Sequence, residues 1–359
     1  MARMDVFSAQ VAAMMRPETY PIRVRRVTMR PTHMAIVFLT ERHVWKLRRP
    51  VQRELMDFRT SVARWQDALN EWRLDSHFAP GVCLGLAELT ADPVRQSGWS
   101  IRWASSEHSD FSMPPWRGHE GVLCMRRLPA SGMLDQLTKT QRLNSALIRD
   151  CVKTLAERLA SRTHFEMDPV GLMNHHRRAS TLVLDRLRDP VYAQSPRLLD
   201  RIEAMLPAAL DRHRIALARR ADTGCIRDGH GDLRPEHVCV QGAWVRQHGP
   251  VFIDALEFDA ALRRLDTLDE IAGLAVSCEF LGSAWAHRQL RLAWQAQDPL
   301  ASGGLWSLAA GRHALKRALH AAWHLDSPCS ASQMQVWRQR SSVWLHLACE
   351  QLSLSLNAG

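Results

Sequence analysis

One short segment of the sequence holds an unusual density of titratable side chains. The stretch RDGHGDLRPEHVCV, residues 227–240, contains two histidines, two aspartates, a glutamate and two arginines, and it runs into apolar residues. Gly231 separates His230 from Asp232, so we expect the carboxylate of Asp232 to lie in a rigid loop that leads into a buried strand. A surface loop that carries charge for solubility alone is the alternative interpretation.

A second acid follows twenty-two residues after Asp232. The segment VFIDALEF, residues 251–258, sets Asp254 at the end of another apolar run. If the predicted strands at 237–240 and 251–253 form a hairpin, Asp232 and Asp254 lie at one end of it. Two carboxylates placed in this way can share one task, because one orients or deprotonates a nucleophile while the other holds a divalent cation.

Lysine is rare in this chain, which makes the position of Lys46 informative. Only four of the 47 basic residues are lysines, and Lys46 lies in the apolar stretch HVWKL, residues 43–47. A compact ammonium reaches a phosphate from a buried strand where a bulky guanidinium does not fit. The alternative is a lysine on an alternating surface strand whose ammonium extends into solvent.

The hydrophobic pattern predicts two regions of different secondary structure. A helix is predicted from Ser61 to about Phe78, where Thr60 or Ser61 can cap the start and Pro80 ends it, and the clearest helical pattern is at 197–221. Strands are predicted at 23–28, 34–39, 43–47, 82–90, 98–105, 121–127, 237–240 and 251–253, with loops or turns at 106–119 and 241–249 and helices from about 130 to 220 and after 266. The predicted fold class is α+β, with a sheet-rich N-terminal lobe at 1–124, a linker at 125–130 and a mainly helical C-terminal lobe at 131–359.

Composition restricts the class of protein. With 46% hydrophobic and 23% charged residues, the chain is typical of soluble globular proteins. It contains no apolar run long enough to span a membrane and no convincing leader cleavage site, so we expect a cytoplasmic location. The eight cysteines form no CxxC pair, which favours reduced core residues. The net charge of +10 comes from arginines spread along the chain, a distribution that does not favour nucleic-acid binding.

The ordered set of motifs resembles a known family. HGDLRPEH followed by VFIDALEFD is similar to the catalytic loop and metal-binding segment of the aminoglycoside phosphotransferase-like branch of the protein-kinase fold, whose pattern is H-G-D-x-x-x-x-N and then I-D. Upstream, VFLTERHVWKLRRPV, MDFRT, EWRLDSHFAPGVCLGL and MRRLP resemble, in order, an uncharacterised subgroup of phosphotransferase-like proteins, some of which carry an additional P-loop ATPase domain. The resemblance covers residues 35 to 285 in patches and implies a bilobal protein-kinase-like fold.

The resemblance implies a role for each matching residue. Asp232, in a catalytic motif that includes His230, takes the place of the aspartate that accepts or orients the substrate hydroxyl proton. Asp254 takes the place of the metal-binding aspartate that bridges the nucleotide phosphates. Lys46 resembles the strand lysine that contacts the α- and β-phosphates, and Glu71 resembles the helix glutamate that pairs with this lysine. The implied cofactors are ATP and Mg²⁺ or Mn²⁺, because phosphoryl transfer requires positioned phosphates and a cation.

Two features depart from the family pattern. His237 stands where the family has asparagine as the second metal ligand, and imidazole suits Mn²⁺ or another transition metal better than Mg²⁺. Glu257 is the alternative source of an oxygen ligand, in which case His237 is a hydrogen-bonding group. In addition, no glycine-rich loop precedes Lys46, and the absence of any Gly-Lys dipeptide excludes a P-loop.

Several assignments have structural alternatives. Glu71 and Asp75 share one flank of the predicted helix, and either could pair with Arg64 at the surface, but the resemblance favours Glu71 as the partner of the lysine. Asp269 resembles the aspartate that braces the catalytic loop, although an ordinary acidic residue in the first turn of a helix explains it equally well. The histidine pair at 175–176 could indicate a metal site, but no carboxylates lie near it in the sequence, so it is predicted to lie in a solvated loop.

These features predict an ATP-dependent phosphotransferase that moves the γ-phosphoryl group to a hydroxyl of a small molecule. ATP is expected between the lobes, with adenine against the linker from Met125 to Leu128. The alternative is a catalytically inactive kinase-fold protein that binds nucleotide or a protein partner. His237 and the missing glycine-rich loop favour this alternative, whereas the joint presence of Lys46, Asp232 and Asp254 opposes it.

Overall fold

The structure is a computed structural model that describes residues 6–53, 56–103 and 119–358. The chain divides into two compact units. The first comprises Met1–Pro129 and Val251–Ala260, and the second comprises Ala130–Pro250 and Ala261–Gly359. Segment 251–260 therefore packs with the N-terminal unit, whereas the predicted lobe boundaries left it with the C-terminal lobe.

The first unit is built on an antiparallel sheet. Its described strands and helices are α1 (Val6–Met14), β1 (Thr28–Pro31), β2 (Ala35–Leu39), β3 (His43–Arg48), β4 (Gln52–Arg53), β5 (Met56–Asp57), α2 (Ser61–Phe78), β6 (Cys83–Ala91), β7 (Trp99–Trp103) and β8 (Glu120–Arg126). Within the described residues, six strands form one sheet in the order β1–β2–β3–β8–β6–β7, and every neighbouring pair is antiparallel. Later in the chain, the short strands β9 (Ile226–Asp228), β10 (Val238–Cys239), β11 (Val251–Phe252) and β12 (Arg264–Asp266) follow, and of these β11 belongs to the first unit.

Two hydrophobic clusters cover the two faces of this sheet. One cluster contains Met14 from α1 together with Trp45 and Leu47 from β3. The other contains Trp65 and Leu69 from α2. Because side chains alternate along a strand, Lys46 and Arg48 point to the face opposite Trp45 and Leu47, which is the face that α2 covers.

Helix α2 begins and ends where the sequence predicts. The side chain of Thr60 accepts a hydrogen bond from the backbone N–H of Ala63 at 3.2 Å and so caps the first turn. The helix ends at Phe78, just before Pro80 and the left-handed Gly81. These signals fix the phase of the helix, and the phase decides which of its acids face the sheet.

The second unit is mainly helical. Its described helices are α3 (Leu134–Lys139), α4 (Ser145–Ala160), α5 (Pro169–Leu187), α6 (Pro196–Arg212), α7 (Arg214–Asp222), α8 (Ala243–His248), α9 (Thr267–Phe280), α10 (Ala284–Gln295), α11 (Gly303–Ala322) and α12 (Ala331–Asn357). Strands β9 and β12 pair antiparallel, with Asp228 opposite Arg264 and Ile226 opposite Asp266. The loop after β9 and the first turn of α9 are thereby held side by side.

The observed elements agree with the predicted α+β class, and most boundaries differ by only a few residues. The predicted strand at 23–28 is wrong, because β1 begins only at Thr28. The predicted turn at 241–249 is also wrong, since its central residues form α8. The predicted loop at 106–119 lies, except for its last residue, outside the described residues. Among the helices of the described part of the chain, none is both long and apolar enough to cross a membrane.

Candidate functional site

Helix α2 carries a row of three buried acids. Asp67, Glu71 and Asp75 follow one another at steps of four residues and are exposed by only 4%, 1% and 0%. Like charges at this spacing repel one another, and burial without partners would be costly for each of them. The row therefore requires cationic or hydrogen-bonding partners on the facing strand.

Strand β3 supplies two cations to this row. The ammonium of Lys46 lies 2.8 Å from Oε1 of Glu71 and 2.7 Å from Oδ1 of Asp254. Its side chain is only 11% exposed, so the alternative of a lysine extended into solvent is wrong. Burial opposes the charge, but Asp254 and Glu71 outweigh this effect and raise the pKa of Lys46. The lysine is therefore charged and held between two carboxylates.

Arg48 is the second of these cations and lies two residues further along β3. Its Nε lies 2.6 Å from Oδ2 of Asp67, and its Nη2 lies 2.5 Å from Oε2 of Glu71. The same Nη2 also contacts the carboxylate of Glu257, which is 10% exposed. In this arrangement Glu257 pairs with an arginine that also contacts two other carboxylates, and its role as a metal ligand stays a prediction.

Asp254 has an unusual backbone conformation. Its φ angle is +62°, in the left-handed region that non-glycine residues rarely adopt. The carboxylate of Asp75 accepts the backbone N–H groups of Asp254 and Ala255, each at 3.0 Å. Burial and the nearby Glu71 raise the pKa of Asp75. The side chain of Asp254 is 44% exposed, so Asp75 holds a strained residue that presents its carboxylate to solvent.

Glu71 and Asp75, the two acids of α2 considered as partners of the lysine, make different contacts. Glu71 contacts Lys46, as the resemblance predicts, whereas Asp75 binds the backbone of the segment that carries Asp254. The alternative pairing with Arg64 is wrong, because this arginine contacts the carboxylate of Glu120 on β8 instead. Neither Arg48 nor Asp67 was predicted from the sequence, although alternate positions on a strand and four-residue steps on a helix indicate both.

The loop after β9 is held from α9 in the second unit. Gly231 has a φ angle of +83°, a conformation that favours glycine, and its N–H donates to Oε1 of Glu270 at 2.7 Å. Burial raises the pKa of Glu270 to about 7. The bracing role predicted for Asp269 therefore belongs to its neighbour, while Asp269 pairs with Arg312 at 2.6 Å.

Asp232 follows Gly231 and is partly exposed, by 31%. Oδ2 of Asp232 lies 3.1 Å from Nη2 of Arg234. Burial alone would raise the pKa of Asp232, but nearby positive charge, led by that of Arg234, outweighs burial and lowers the pKa to about 2. The carboxylate is ionised and weakly basic, so it is better suited to orienting a hydroxyl than to removing its proton completely.

Protein groups engage both ring nitrogens of His237. Its Nδ1 lies 2.9 Å from the carbonyl oxygen of Asp232, and its Nε2 lies 2.7 Å from Nη2 of Arg234. Because an arginine only donates, Nε2 accepts and Nδ1–H donates to the carbonyl. This geometry matches the hydrogen-bonding alternative for His237, and its role as a metal ligand stays a prediction. His230 is fully buried, and its role in catalysis also stays a prediction.

The remaining predicted residues lie at the end of β8. Met125 is partly buried and packs against the hydrophobic cluster that contains Trp65 and Leu86. Leu128 follows the strand and is also partly buried. Their contact with adenine stays a prediction. Across the described ranges, no group of three or more histidine, cysteine, aspartate or glutamate side chains is arranged to hold a metal ion, and Asp254 is the half-exposed carboxylate of the cluster around Lys46.

Comparison with known sequences finds relatives without an assigned activity. No family model matches the chain. The chain is 30% identical to the uncharacterized protein Rv2004c of Mycobacterium tuberculosis over 265 residues, which cover 71% of this chain and 46% of that protein. The chain therefore spans about half the length of the curated relatives it matches.

Comparison with solved structures finds similar folds at low sequence identity. A choline/ethanolamine kinase family protein from Mesorhizobium loti gives a TM-score of 0.53 at 14% identity, with 98% of this chain and 99% of that chain covered. A mutant aminoglycoside 2'-phosphotransferase-IIIa in its GDP complex gives 0.51 at 14% identity, with 94% and 95% covered. At 14% identity, these matches show that the folds are similar.

Proposed function

We propose that this chain, which has the protein-kinase-like α+β fold of the aminoglycoside phosphotransferases and the choline/ethanolamine kinases, is an ATP-dependent phosphotransferase. Its acceptor would be the hydroxyl of a small molecule. One observation carries the proposal. Lys46 is fixed between Glu71 and Asp254, and Asp254 is itself held in a strained conformation. Strained residues and buried charges concentrated in this way are typical of functional sites.

The donor set of the first unit fits a nucleotide with a divalent cation. Lys46 supplies a charged ammonium for phosphate oxygens, and Glu71 keeps it in place. Asp254 supplies carboxylate oxygens, the ligands that Mg²⁺ prefers, from a side chain that is half exposed. When bound, the cation would neutralise the charge that develops on the phosphate oxygens during transfer.

Asp232 would act on the acceptor. Its ionised carboxylate would accept a hydrogen bond from the acceptor hydroxyl and so direct the hydroxyl oxygen toward the γ-phosphorus. In the transfer, a bond forms between that oxygen and the γ-phosphorus, the bond to the β–γ bridging oxygen breaks, and ADP leaves with the electron pair. The hydroxyl proton is lost to solvent. A carboxylate with a pKa near 2 suits a loose transition state, in which the nucleophile needs orientation more than early deprotonation.

The solved structures support a reaction of this general class. One neighbour is a member of the choline/ethanolamine kinase family, and the other is an aminoglycoside 2'-phosphotransferase with bound GDP. Both names refer to transfer of a phosphoryl group to a small molecule. They support phosphotransfer here, but they do not identify the acceptor or favour ATP over GTP, which is why the nucleotide forms part of the test.

The test is nucleotide consumption in the presence of metabolite pools. ATP and GTP are each supplied with Mg²⁺ or Mn²⁺, and ADP or GDP formation is followed together with the mass of any phosphorylated product. We expect Asp232→Asn and Asp254→Ala to abolish acceptor-dependent turnover while the proteins stay folded. Arg177→Ala, at an exposed ion pair with Asp211 on α6, is a control that should retain turnover. Unchanged turnover in either aspartate variant would refute the proposal.

A second candidate is a kinase-fold protein that binds nucleotide without transferring phosphate. The observation that favours it is the engagement of His237, whose two ring nitrogens are both bound to protein groups where the family has a metal-binding asparagine. Saturable stabilisation by ATP and a cation, without turnover on any acceptor, would support this candidate. Restored turnover in His237→Asn would show instead that His237 alone limits the reaction.

A further inference from the structure

One side of helix α11 lies beside the loop that carries Asp232. Four residues at steps of three and four share this side of the helix: His313, Lys316, Arg317 and His320. Lys316 lines a cavity of the second unit together with Gly231 and Leu233, which are the two neighbours of Asp232 in the chain. The next residue of α11, Arg317, is close enough to Asp232 for each charge to affect the pKa of the other group.

An aromatic ring, and not a carboxylate, holds Arg317 in place. The Cζ atom of Arg317 lies 5.8 Å from the ring centroid of Trp344 on α12, and its Nη1 lies 3.5 Å from Nδ1 of His320. Within the described part of the chain, Arg317 forms no ion pair with a carboxylate, and its Nη2 makes no hydrogen bond and keeps access to solvent. A guanidinium that packs against a ring keeps the N–H groups at its edge available for an anion.

Arg340 on α12 extends the same group of rings and arginines. The rings of Phe280 and Trp344 stack with their centroids 4.1 Å apart and their planes parallel to within 1°. The Cζ atom of Arg340 lies 5.2 Å from the ring centroid of Phe280 and 5.5 Å from that of Trp337. Arg340 is exposed and, among the described residues, it also forms no ion pair. Two arginines near the catalytic loop are therefore held by rings and have no carboxylate partner.

The charges around Arg317 favour the binding of an anion. Arg234 is already paired, since its Nη2 lies 3.1 Å from Oδ2 of Asp232 and its Nη1 lies 3.1 Å from Oε1 of Glu236. Burial and the nearby Arg234 lower the pKa of Arg317, with a further contribution from Arg340, although Asp232 and Glu236 oppose this change. An anion at Arg317 would relieve the repulsion between these arginines, whereas a cation would increase it.

The histidines near this loop do not add positive charge. Burial lowers the pKa of His320 to about 3 and the pKa of His313 well below the usual range, so both rings are neutral near pH 7. Burial has the same effect on His176. The solvated loop predicted for residues 175–176 is wrong, because both histidines lie in α5 and His176 is buried. The positive charge beside Asp232 therefore comes from arginine and lysine.

We propose that the acceptor carries an anionic group, a phosphate or a carboxylate, and that Arg317 and Arg340 bind this group while Asp232 orients the acceptor hydroxyl. A guanidinium forms two parallel hydrogen bonds with either kind of oxyanion. The rings of Trp344 and Phe280 fix the two guanidinium groups before the acceptor binds, which lowers the entropic cost of binding. The inference rests on the proposed function, because it names the class of molecule that this function phosphorylates.

The first experiment sorts acceptors by charge. A metabolite pool freed of nucleotides with charcoal is passed over an anion exchanger at neutral pH, and the retained and unretained fractions are each assayed with the full chain, ATP and Mg²⁺. We expect ADP formation and a phosphorylated product from the retained fraction. Loss of this activity after phosphatase treatment of the fraction identifies a phosphate group, and its persistence identifies a carboxylate. Turnover confined to the unretained fraction, which holds neutral and cationic molecules, would overturn the inference.

The second experiment measures binding to the full chain without nucleotide, so it does not depend on turnover. Four three-carbon alcohols are titrated by calorimetry: glycerol 3-phosphate, glycerate, glycerol and 3-amino-1,2-propanediol. We expect saturable binding of at least one of the two anionic probes, with the neutral and cationic probes at least about tenfold weaker. Equal affinity for the cationic probe, or no binding of either anionic probe up to about 10 mM, would overturn the inference.

Three variants test whether the two arginines bind the anion. Arg317→Met and Arg340→Met keep an unbranched apolar side chain, and each should weaken the anionic probe about tenfold without weakening glycerol. Arg149→Met, at an exposed arginine of α4, is the matched control and should change neither affinity. Because Arg340 is exposed, its variant keeps the test valid even where Arg317→Met does not fold. Wild-type affinity for the anionic probe in Arg340→Met and in folded Arg317→Met would contradict the assignment.

The outcomes separate this inference from the proposed function. Anion binding that depends on Arg317 and Arg340, without phosphoryl transfer to a molecule of either fraction, would support the anion site and refute the phosphotransferase. Transfer to an acceptor whose KM is the same in wild type, Arg317→Met and Arg340→Met would support the phosphotransferase and refute the anion site.

Discussion

Replacing Asp75 with asparagine tests whether α2 controls the conformation of Asp254. The carboxylate of Asp75 accepts two backbone N–H groups, those of Asp254 and Ala255. An asparagine has one oxygen in place of two, so its NH₂ group would face one of the two donors. The change keeps the volume of the side chain and leaves one buried N–H without an acceptor.

The expected magnitude follows from two costs. A buried N–H that loses its acceptor costs about 1–3 kcal/mol, so we expect the free energy of unfolding to fall by about 2 kcal/mol. The left-handed conformation of Asp254, with φ at +62°, is itself unfavourable by about 1–2 kcal/mol for a non-glycine residue. Once the restraint is weakened, the population with Asp254 in place falls, and the apparent affinity for ATP with Mg²⁺ should fall roughly 5- to 30-fold.

Denaturant unfolding and calorimetric titration with ATP and Mg²⁺ measure the two effects separately. Asp67→Asn is the matched control, because it makes the same substitution two turns earlier on α2, against Arg48 rather than against the backbone of Asp254. We expect it to lower stability but to leave nucleotide affinity within about twofold, since no contact to Asp254 changes. Wild-type affinity in a destabilised Asp75→Asn, or equal losses of affinity in both variants, would refute the reasoning.

Three further predictions concern single residues. Lys46→Arg should lower nucleotide affinity at least about tenfold in the same titration, because the guanidinium is too bulky for the place between the carboxylates of Glu71 and Asp254; an unchanged affinity would contradict this. Glu270 keeps its proton up to about pH 7 in the folded protein, whereas the unfolded chain releases it near pH 4.5. As the pH rises between these values, the free energy of unfolding of the wild type should therefore fall by roughly 3 kcal/mol, and that of Glu270→Gln should not. Parallel pH profiles of the two proteins would contradict this. Gly121→Ala should cost about 1–3 kcal/mol in denaturant unfolding, because its Cβ would lie 2.8 Å from the ring of Trp65; wild-type stability would contradict this.

Local signals in the sequence predict much of the fold. Helix α2 is recognisable because Thr60 caps it and Pro80 follows it, and β3 is recognisable from its alternating apolar residues. The sequence predicts a turn at 241–249 because Gly242 and Gly249 lie only seven residues apart. The short helix α8 lies between these two glycines, which provide its N-cap and C-cap with positive φ angles.

The sequence predicts the candidate site less completely, because part of it depends on long-range contacts. Lys46 and Glu71 were predictable from composition and motif order. The role of Asp75 was not, since it binds a backbone segment 179 residues away in the chain. Glu270, and not Asp269, faces the loop after β9 because of the rotational phase of α9. This phase is set by the residue at which the helix begins, and a difference of one residue turns a different side chain toward the loop.

The most direct test of the central claim is the affinity for ATP with Mg²⁺, measured by calorimetry in the wild type and three variants. We predict saturable binding by the wild type with Kd between about 1 μM and 1 mM. Lys46→Met and Asp254→Asn should each weaken it at least about tenfold, and Asp254→Asn should also abolish its dependence on Mg²⁺. Asp232→Asn should bind with wild-type affinity. Absence of saturable binding by the wild type, or equal affinity in all four proteins, would contradict the account.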